Sequence, residues 1–305
     1  MELKSEKPRR RPKLGAPRLL IVGCGDVGGR ILARAKGRFR VIALTSTPDR
    51  VAQLRAAGAL PIVANLDQPV SARIAALSSR VIHLAPPPNA GAADTRTRHL
   101  LAAIAGRAAR LVYISTTGVY GDRGGAATTE TTPLRPASAR AIRRIDAERQ
   151  LRRAGRGKLA VSVLRAPGLY AHDRLPLDRL RAGTPALAAA DDVFTNHIHA
   201  DDLARLALTA LARGRPNRIY NAVDDSNLLM GEYFDLVADA FDLPRPPRLP
   251  RAELVRAVSP ALLSFMSESR RIGNARIRRE LRVRLAWPTV AATLADLRRA
   301  SNPRS

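Results

Sequence analysis

Short apolar runs alternate along the chain with longer segments in which apolar residues recur every third or fourth position, the pattern of repeated strand–helix units in a parallel sheet. Candidate strands are Leu19 to Val22, Val41 to Leu44, Pro61 to Ala64, Val81 to Leu84, Leu111 to Ser115, Val161 to Leu164 and Ile219 to Asn221. Candidate helices lie between them, near Gly29 to Lys36, Pro48 to Ala57, Val70 to Leu77, Arg96 to Ala109, Ser138 to Ala154 and Asp202 to Arg213. Thr47 before Pro48, and Asp67 two residues before Pro69, are expected to cap helices whose first turn tolerates proline. Asp201 and Asp202 are expected to cap the helix that follows them. Beyond Asp224 the pattern changes to helical segments broken by Pro244, Pro246, Pro247 and Pro250. The organisation expected is a disordered basic tail over residues 1–17 and a doubly wound Rossmann domain over 18–222, with an insertion near 170–200. A small helical lobe over 223–305 would then cover the carboxyl ends of the strands, where open α/β sheets bind ligands.

The first strand runs directly into Gly23-Cys24-Gly25-Asp26-Val27-Gly28 and then into a helix, giving a G-x-G-x-x-G turn in its proper context. Gly23 permits the tight turn, Gly25 lets the main chain approach a pyrophosphate, and Gly28 lets the helix pack close to the strand. Unpaired amides at the helix start carry roughly half a positive charge, which suits a phosphate. A plain strand-to-helix turn explains any one of these glycines. Their spacing between a buried strand and a helix points to a dinucleotide.

The second strand ends in Thr45-Ser46-Thr47, with no carboxylate where an NAD site would bind the ribose hydroxyls. A carboxylate there would repel a ribose 2′-phosphate, whereas these three hydroxyls and Arg50 can hold one. The sequence therefore favours NADP, with NAD as the alternative. The plainer reading of these residues is a helix cap.

The net charge of +26 is unusual, and only five of the 52 basic residues are lysines: Lys4, Lys7, Lys13, Lys36 and Lys158. Arginine excess of this kind makes a solvated basic surface and gives weak, sequence-independent attraction to nucleic acid. Aromatics are 4% of residues and are not interleaved with arginine, so a stacking platform for single strands is excluded and no specific nucleic-acid partner is expected. Cys24 is the only cysteine, which excludes an intrachain disulfide or a cysteine metal cluster. No apolar run approaches the roughly 18 residues that span a bilayer, and no signal core is seen, so a cytoplasmic protein without a membrane partner is expected. His83, His197 and His199 read as structural, and no metal is expected. His172, beyond a strand end, is the histidine best placed to move a proton.

Leu111 to Ile114 leads into Ser115-Thr116-Thr117-Gly118-Val119-Tyr120-Gly121, which puts hydroxyls at the carboxyl end of a strand beside the expected nicotinamide. Together with Val81-Ile82-His83-Leu84-Ala85, Leu164-Arg165-Ala166-Pro167-Gly168-Leu169-Tyr170, Asn196 to Ala204 and Ser269 to Asn274, the chain resembles the extended and atypical short-chain dehydrogenase/reductase superfamily. More narrowly, it is similar to bacterial YeeZ-type proteins described as NAD-dependent epimerase/dehydratase-like. The resemblance implies Gly23, Gly25, Asp26, Val27 and Gly28 at the pyrophosphate, Asn65 and Leu66 near the adenine, and Ala85 and Pro86 near the inner ribose. It implies that Thr116 holds the reacting oxygen, with Ser115 as the fallback, and that a small molecule is the substrate.

The departures from that pattern carry as much information. The family's Tyr-x-x-x-Lys becomes Arg140-Ala141-Ile142-Arg143-Arg144. Arginine stays protonated in proteins, so Arg140 can polarise a carbonyl but cannot shuttle its proton, while Arg144 can still bind ribose hydroxyls. Tyr120 or His172 would then supply the proton, although Tyr120 reads better as a buried packing residue. The acidic pair of the sugar-nucleotide 4,6-dehydratases is replaced by Thr117 and Gly118, which disfavours that elimination. Two readings remain: an oxidoreductase or epimerase-like enzyme acting on a carbonyl or secondary alcohol, and a catalytically silent NADP(H)-binding sensor or partner protein. The arginines on Ser138 to Ala154 would oppose a symmetric helix-on-helix interface, so a monomer or weak dimer is expected, with Ile142, Ile145 and Leu151 buried within the chain.

Overall fold

A computed structural model describes residues 15–301, so only Gly15 to Pro17 of the expected basic tail fall among the described residues. Seven strands, β1 Arg18–Val22, β2 Arg40–Thr45, β3 Leu60–Val63, β4 Arg80–His83, β5 Arg110–Thr116, β6 Ala160–Ala166 and β7 Arg218–Asn221, form one sheet in the order β7-β6-β5-β4-β1-β2-β3. Every pairing is parallel. The continuous apolar runs follow from this: Leu19, Leu20, Ile21 and Val22 are fully buried because a parallel sheet is covered on both faces. Each strand lies within about two residues of its expected place, since apolar runs bounded by turn residues mark buried strands well.

The helices are α1 Asp26–Ala35, α2 Val51–Ala56, α3 Thr95–Ile104, α4 Ala139–Ala154, α5 Leu177–Arg181, α6 Ala200–Arg213, α7 Met230–Ala240, α8 Arg251–Ala257, α9 Pro260–Phe265, α10 Ala275–Leu281 and α11 Val290–Ser301. On one face of the sheet, Ile31 and Leu32 of α1, Leu203 and Leu206 of α6 and Ile277 of α10 share a core with Leu19 and Ile82. On the other, Leu100 and Ile104 of α3 and Ala147 and Leu151 of α4 pack on Leu20, Val22 and Leu111. Residues of α5, α7 and α11 build a separate core around Tyr170, Phe234 and Val237. This lobe draws on both the insertion and the C-terminal segment: Phe194–Thr195 pairs with Leu228–Leu229, and Ala186–Leu187 with Arg248–Leu249. The chain then returns, and α10 packs against α6 and β7.

The helix starts differ from expectation. Asp67 does not cap; it pairs with Arg96 at 2.6 Å, and Ser71 caps the short 3-10 turn Ala72–Leu77 instead. Thr47 makes no side-chain cap bond. His199, not Asp201 or Asp202, caps α6, its Nδ1 accepting from the Asp201 amide at 3.2 Å. Asp202 is wholly buried and accepts from the amides of Ala286 and Trp287, tying the C-terminal segment to α6. On α4, Ile145 and Leu151 are buried as expected, but Ile142 is 44% exposed, one position round the helix from the packed stripe. Among the described residues no helix is long and apolar enough to cross a membrane.

Candidate functional site: a dinucleotide cleft and its reacting end

A cleft of about 520 Å³ opens at the carboxyl ends of β1, β4, β5 and β6. Its walls run from Gly23, Gly25, Asp26, Val27 and Gly28 past Pro86 to Ser115, Thr116, Arg140, Arg144 and Pro167. The glycines divide the work much as their spacing implies. Gly23 has φ +84°, and a Cβ there would sit 2.6 Å from the Ala85 amide nitrogen, so the turn requires glycine. At Gly28 a Cβ would stand 3.1 Å from the Gly23 carbonyl, which keeps the first turn of α1 tight against the loop. A Cβ on Gly25 would meet no protein atom within 4 Å beyond its chain neighbours, and Gly25 lines the cleft, so its backbone is open to the close approach a pyrophosphate needs. The residues present therefore fit a dinucleotide. Cys24 is buried behind the turn; burial pushes its thiol up, and the nearby Arg50 charge pulls it the other way.

Asp26 stands in the first turn of α1 and is held by Arg30 at 2.9 Å and Arg174 at 2.8 Å. Arg30 also grips Asp173 and Asp201, and these bonds hold its guanidinium above the ordinary arginine value against the opposing effect of burial. Arg174 lines the cleft and was not anticipated. Its only sequence signal is its position four residues beyond Tyr170, on the loop leaving the sheet.

At the carboxyl end of β5 Thr116 is half-buried, with its Oγ1 accepting from the Gly118 amide at 3.2 Å, and it lines the cleft. Ser115 also lines the cleft, but its hydroxyl donates to Glu148 at 2.6 Å. Glu148 is clamped in turn by Arg165 through bonds of 3.1 and 2.7 Å, all three residues being nearly inaccessible. This buried triplet pins the end of β5 to α4 and β6, and it engages the Ser115 hydroxyl. Glu148 was missed because only the fold brings α4 against β5.

Arg144 donates to the Tyr113 hydroxyl at 2.9 Å and to the Ile114 carbonyl at 2.8 Å, which fixes its guanidinium on the cleft wall. Arg140, one helical turn earlier, is exposed and borders two cavities. The second cavity, about 220 Å³, adjoins the cleft through Thr116, Arg140, Pro167 and Gly168 and reaches Asn196, Glu268 and Arg270. Arg270 is fixed there by Glu268 at 2.5 Å and by the Gly121 carbonyl at 3.0 Å.

Two sequence candidates for proton transfer are not brought to the cleft. Tyr120 is fully buried, donates to Asn221 at 2.6 Å and packs under the Arg165 guanidinium; burial pushes its pKa up. His172 is exposed and faces the rings of His199 and Trp287. His83, buried and bonded to Thr97 at 2.9 Å, is held neutral by burial, its pKa pushed down to about 3. Burial likewise pushes His197 down to about 3 and His199 to about 4.

At the carboxyl ends of β2 and β3, outside the residues that line the cleft, Thr45 is buried, its hydroxyl accepting from the Thr47 amide, so it is withdrawn from any ligand. Ser46 and Thr47 are exposed beside the half-buried Arg50. Asn65 is exposed at the end of β3, its side chain accepting from the Asp67 amide, while Leu66 is buried in the core. Ala85 is buried, and its amide bonds to the Val22 carbonyl; Pro86 is on the cleft wall.

Residues 20–222 match the family model described as the NAD dependent epimerase/dehydratase family. No curated protein matches the chain. Among solved structures, a conserved protein of unknown function from Silicibacter pomeroyi DSS is similar at 30% identity and a TM-score of 0.78, over 93% of this chain and 99% of that one. The dTDP-glucose 4,6-dehydratase DesIV of Streptomyces venezuelae, solved with NAD bound, is similar at 21% identity and a TM-score of 0.72, over 94% of this chain and 97% of that one. MoeE5 in complex with UDP-glucose and NAD gives 19% identity and 0.73, over 94% of this chain and 99% of that one. The last two likenesses speak to the fold alone.

Proposed function

Because the chain belongs to the NAD dependent epimerase/dehydratase family, we propose that it is an NADP(H)-dependent oxidoreductase or epimerase-like enzyme acting on a carbonyl or secondary alcohol of a compact molecule. One observation carries this reading: the dinucleotide cleft and the second cavity are joined at Thr116 and Arg140, which line both. When bound, the nicotinamide supplies or accepts the hydride. The chain's own residues bind, orient and polarise. Amides at the start of α1 hold the pyrophosphate, Arg144 the ribose hydroxyls, and Ser46, Thr47 and Arg50 a 2′-phosphate. The Thr116 hydroxyl donates to the reacting oxygen, and the Arg140 guanidinium stabilises the negative charge that develops on it. Arg140 keeps its proton, so the proton of the reaction exchanges with solvent at the exposed rim where Arg140 stands.

The second cavity also bears on the substrate. At about 220 Å³ it is smaller than the roughly 300–1,000 Å³ usual for ligand pockets. Among the described residues that line it, the charged side chains are Arg140, Arg270 and Glu268, a basic balance that favours a compact substrate carrying an anionic group. A silent NADP(H)-binding protein is the second reading, favoured by the arginines in place of Tyr and Lys.

NADPH oxidation measured against a panel of small keto acids and phosphorylated aldehydes separates the two. Turnover by the native chain, with Thr116→Val lower by about 10²- to 10³-fold at unchanged NADPH affinity, supports the enzyme. Cofactor binding with no turnover across the panel supports the silent protein.

A further inference from the structure

At the end of α1 opposite the glycine turn lies a basin of about 700 Å³ with Arg34, Arg38, Arg205, Arg213, Arg282 and Arg284 in its walls and no carboxylate among its lining residues. Leu208 and Val283 contribute its apolar side. Two of the arginines are compensated from outside the basin: Arg34 by Asp201 at 3.1 Å and Arg205 by Asp202 at 2.6 Å. Among the described residues the other four side chains have no ion pair or hydrogen bond.

Helix ends account for part of this arrangement, because α1, α6 and α10 all finish here and cations favour helix carboxyl ends. They do not account for Arg282. It occupies the residue after α10 in the left-handed conformation, φ 54°, a position that favours glycine and strains an ordinary side chain. Nor do they account for like charges gathered in a concavity, where low-dielectric walls concentrate their field.

We propose that this basin is a binding site for a multiply charged phosphate anion, of the kind carried by a polyphosphate or a phosphorylated metabolite. Planar guanidinium groups arranged around a concavity grip phosphate oxygens in pairs, and a ligand with several phosphates offsets the four uncompensated charges together. The site is separate from the cleft: α1 spans ten residues, about 15 Å at 1.5 Å each, with its first turn at the cleft and its last in the basin. The two sites bind without competition.

Inorganic tripolyphosphate titrated into the full chain by calorimetry, with and without NADP, tests the site. One equivalent is expected to bind equally under both conditions. The double variant Arg213→Ser/Arg284→Ser should weaken it at least about tenfold. Arg107→Ser/Arg156→Ser removes the same charge from exposed turns elsewhere and should change it less than about twofold. No binding, displacement by NADP, or equal weakening by both double variants would overturn the assignment. So would a short DNA duplex that binds, sensitive to the basin variant, where tripolyphosphate does not: the face would then serve nucleic acid.

Discussion

The two ends of the cleft are built on different principles. The glycine-turn end is made of backbone: Gly23 fits only because it lacks a Cβ, and Gly25 leaves space because it lacks one too. The other end is made of side chains, among them Thr116, Arg140 and Arg144. Backbone geometry belongs to the strand–turn–helix unit and persists as long as that unit folds. Side-chain chemistry changes with single substitutions while the wall that carries it stays in place. Under the proposed function, binding and chemistry are therefore separable in this molecule.

The contrast is broken most severely at Gly23. Gly23→Ala places a methyl against the Ala85 backbone at a positive φ, and it is expected to destabilise the chain by several kcal/mol, on the order of 3, in a urea titration. A variant with native stability would show that the turn relaxes freely.

Next is the neutral histidine beneath the reacting end. His83 has its pKa pushed down to about 3 by burial, helped by the Arg144 charge, against an ordinary value near 6.5. Its folded-state pKa is depressed, so the unfolded chain takes up the extra proton. Stability is full above about pH 6.5 and falls as pH drops from there toward 3. Each unit is worth about 1.4 kcal/mol, so lowering pH from 6.5 to 5 should cost about 2 kcal/mol through His83. His197 and His199 act in the same direction. Asp224 acts in the opposite one, because burial raises its pKa to about 7 and the folded chain then loses stability as pH rises from about 4 to 7. His83→Gln should therefore reduce proton uptake on unfolding at pH 5 by about one; an unchanged uptake would place the burden elsewhere.

Arg140→Met sharpens the contrast from the other side, lowering turnover about 10- to 100-fold while NADP(H) affinity moves less than about twofold. A large affinity loss with intact turnover would put Arg140 on the cofactor. The smallest effect is expected at the adenosine end, where Thr47→Ala/Arg50→Ala should cost about 1 kcal/mol in NADP binding and leave NAD binding unchanged. Tighter native binding of NAD than NADP at equal salt would contradict the preference.

What could be read from sequence follows the same division. The seven strands and the glycine turn were legible because apolar runs, glycine spacing and the helix after β1 are local signals. Capping was less so: Asp67 and Asp201 have the right side chains, but Arg96 and Arg30 claim them from distant elements. Tyr120 and His172 are near Thr116 in sequence or in the order of elements, yet one is turned into the core and the other toward Trp287. Arg174 and Glu148 were not among the expected site residues because each reaches its place only when separate segments meet, at Asp26 and at Ser115. Backbone sites announce themselves in sequence, and side-chain sites await the fold.

The most direct test of the account is a calorimetric titration of NADP(H) into the native chain and into Gly25→Ala, with thermal unfolding of both measured alongside. The account predicts one dinucleotide bound per native chain, and affinity lower by at least about tenfold in Gly25→Ala at unchanged melting temperature, because Gly25 lines the cleft and the added methyl has open space around it. Equal binding by the two chains, or none by the native one, would contradict it.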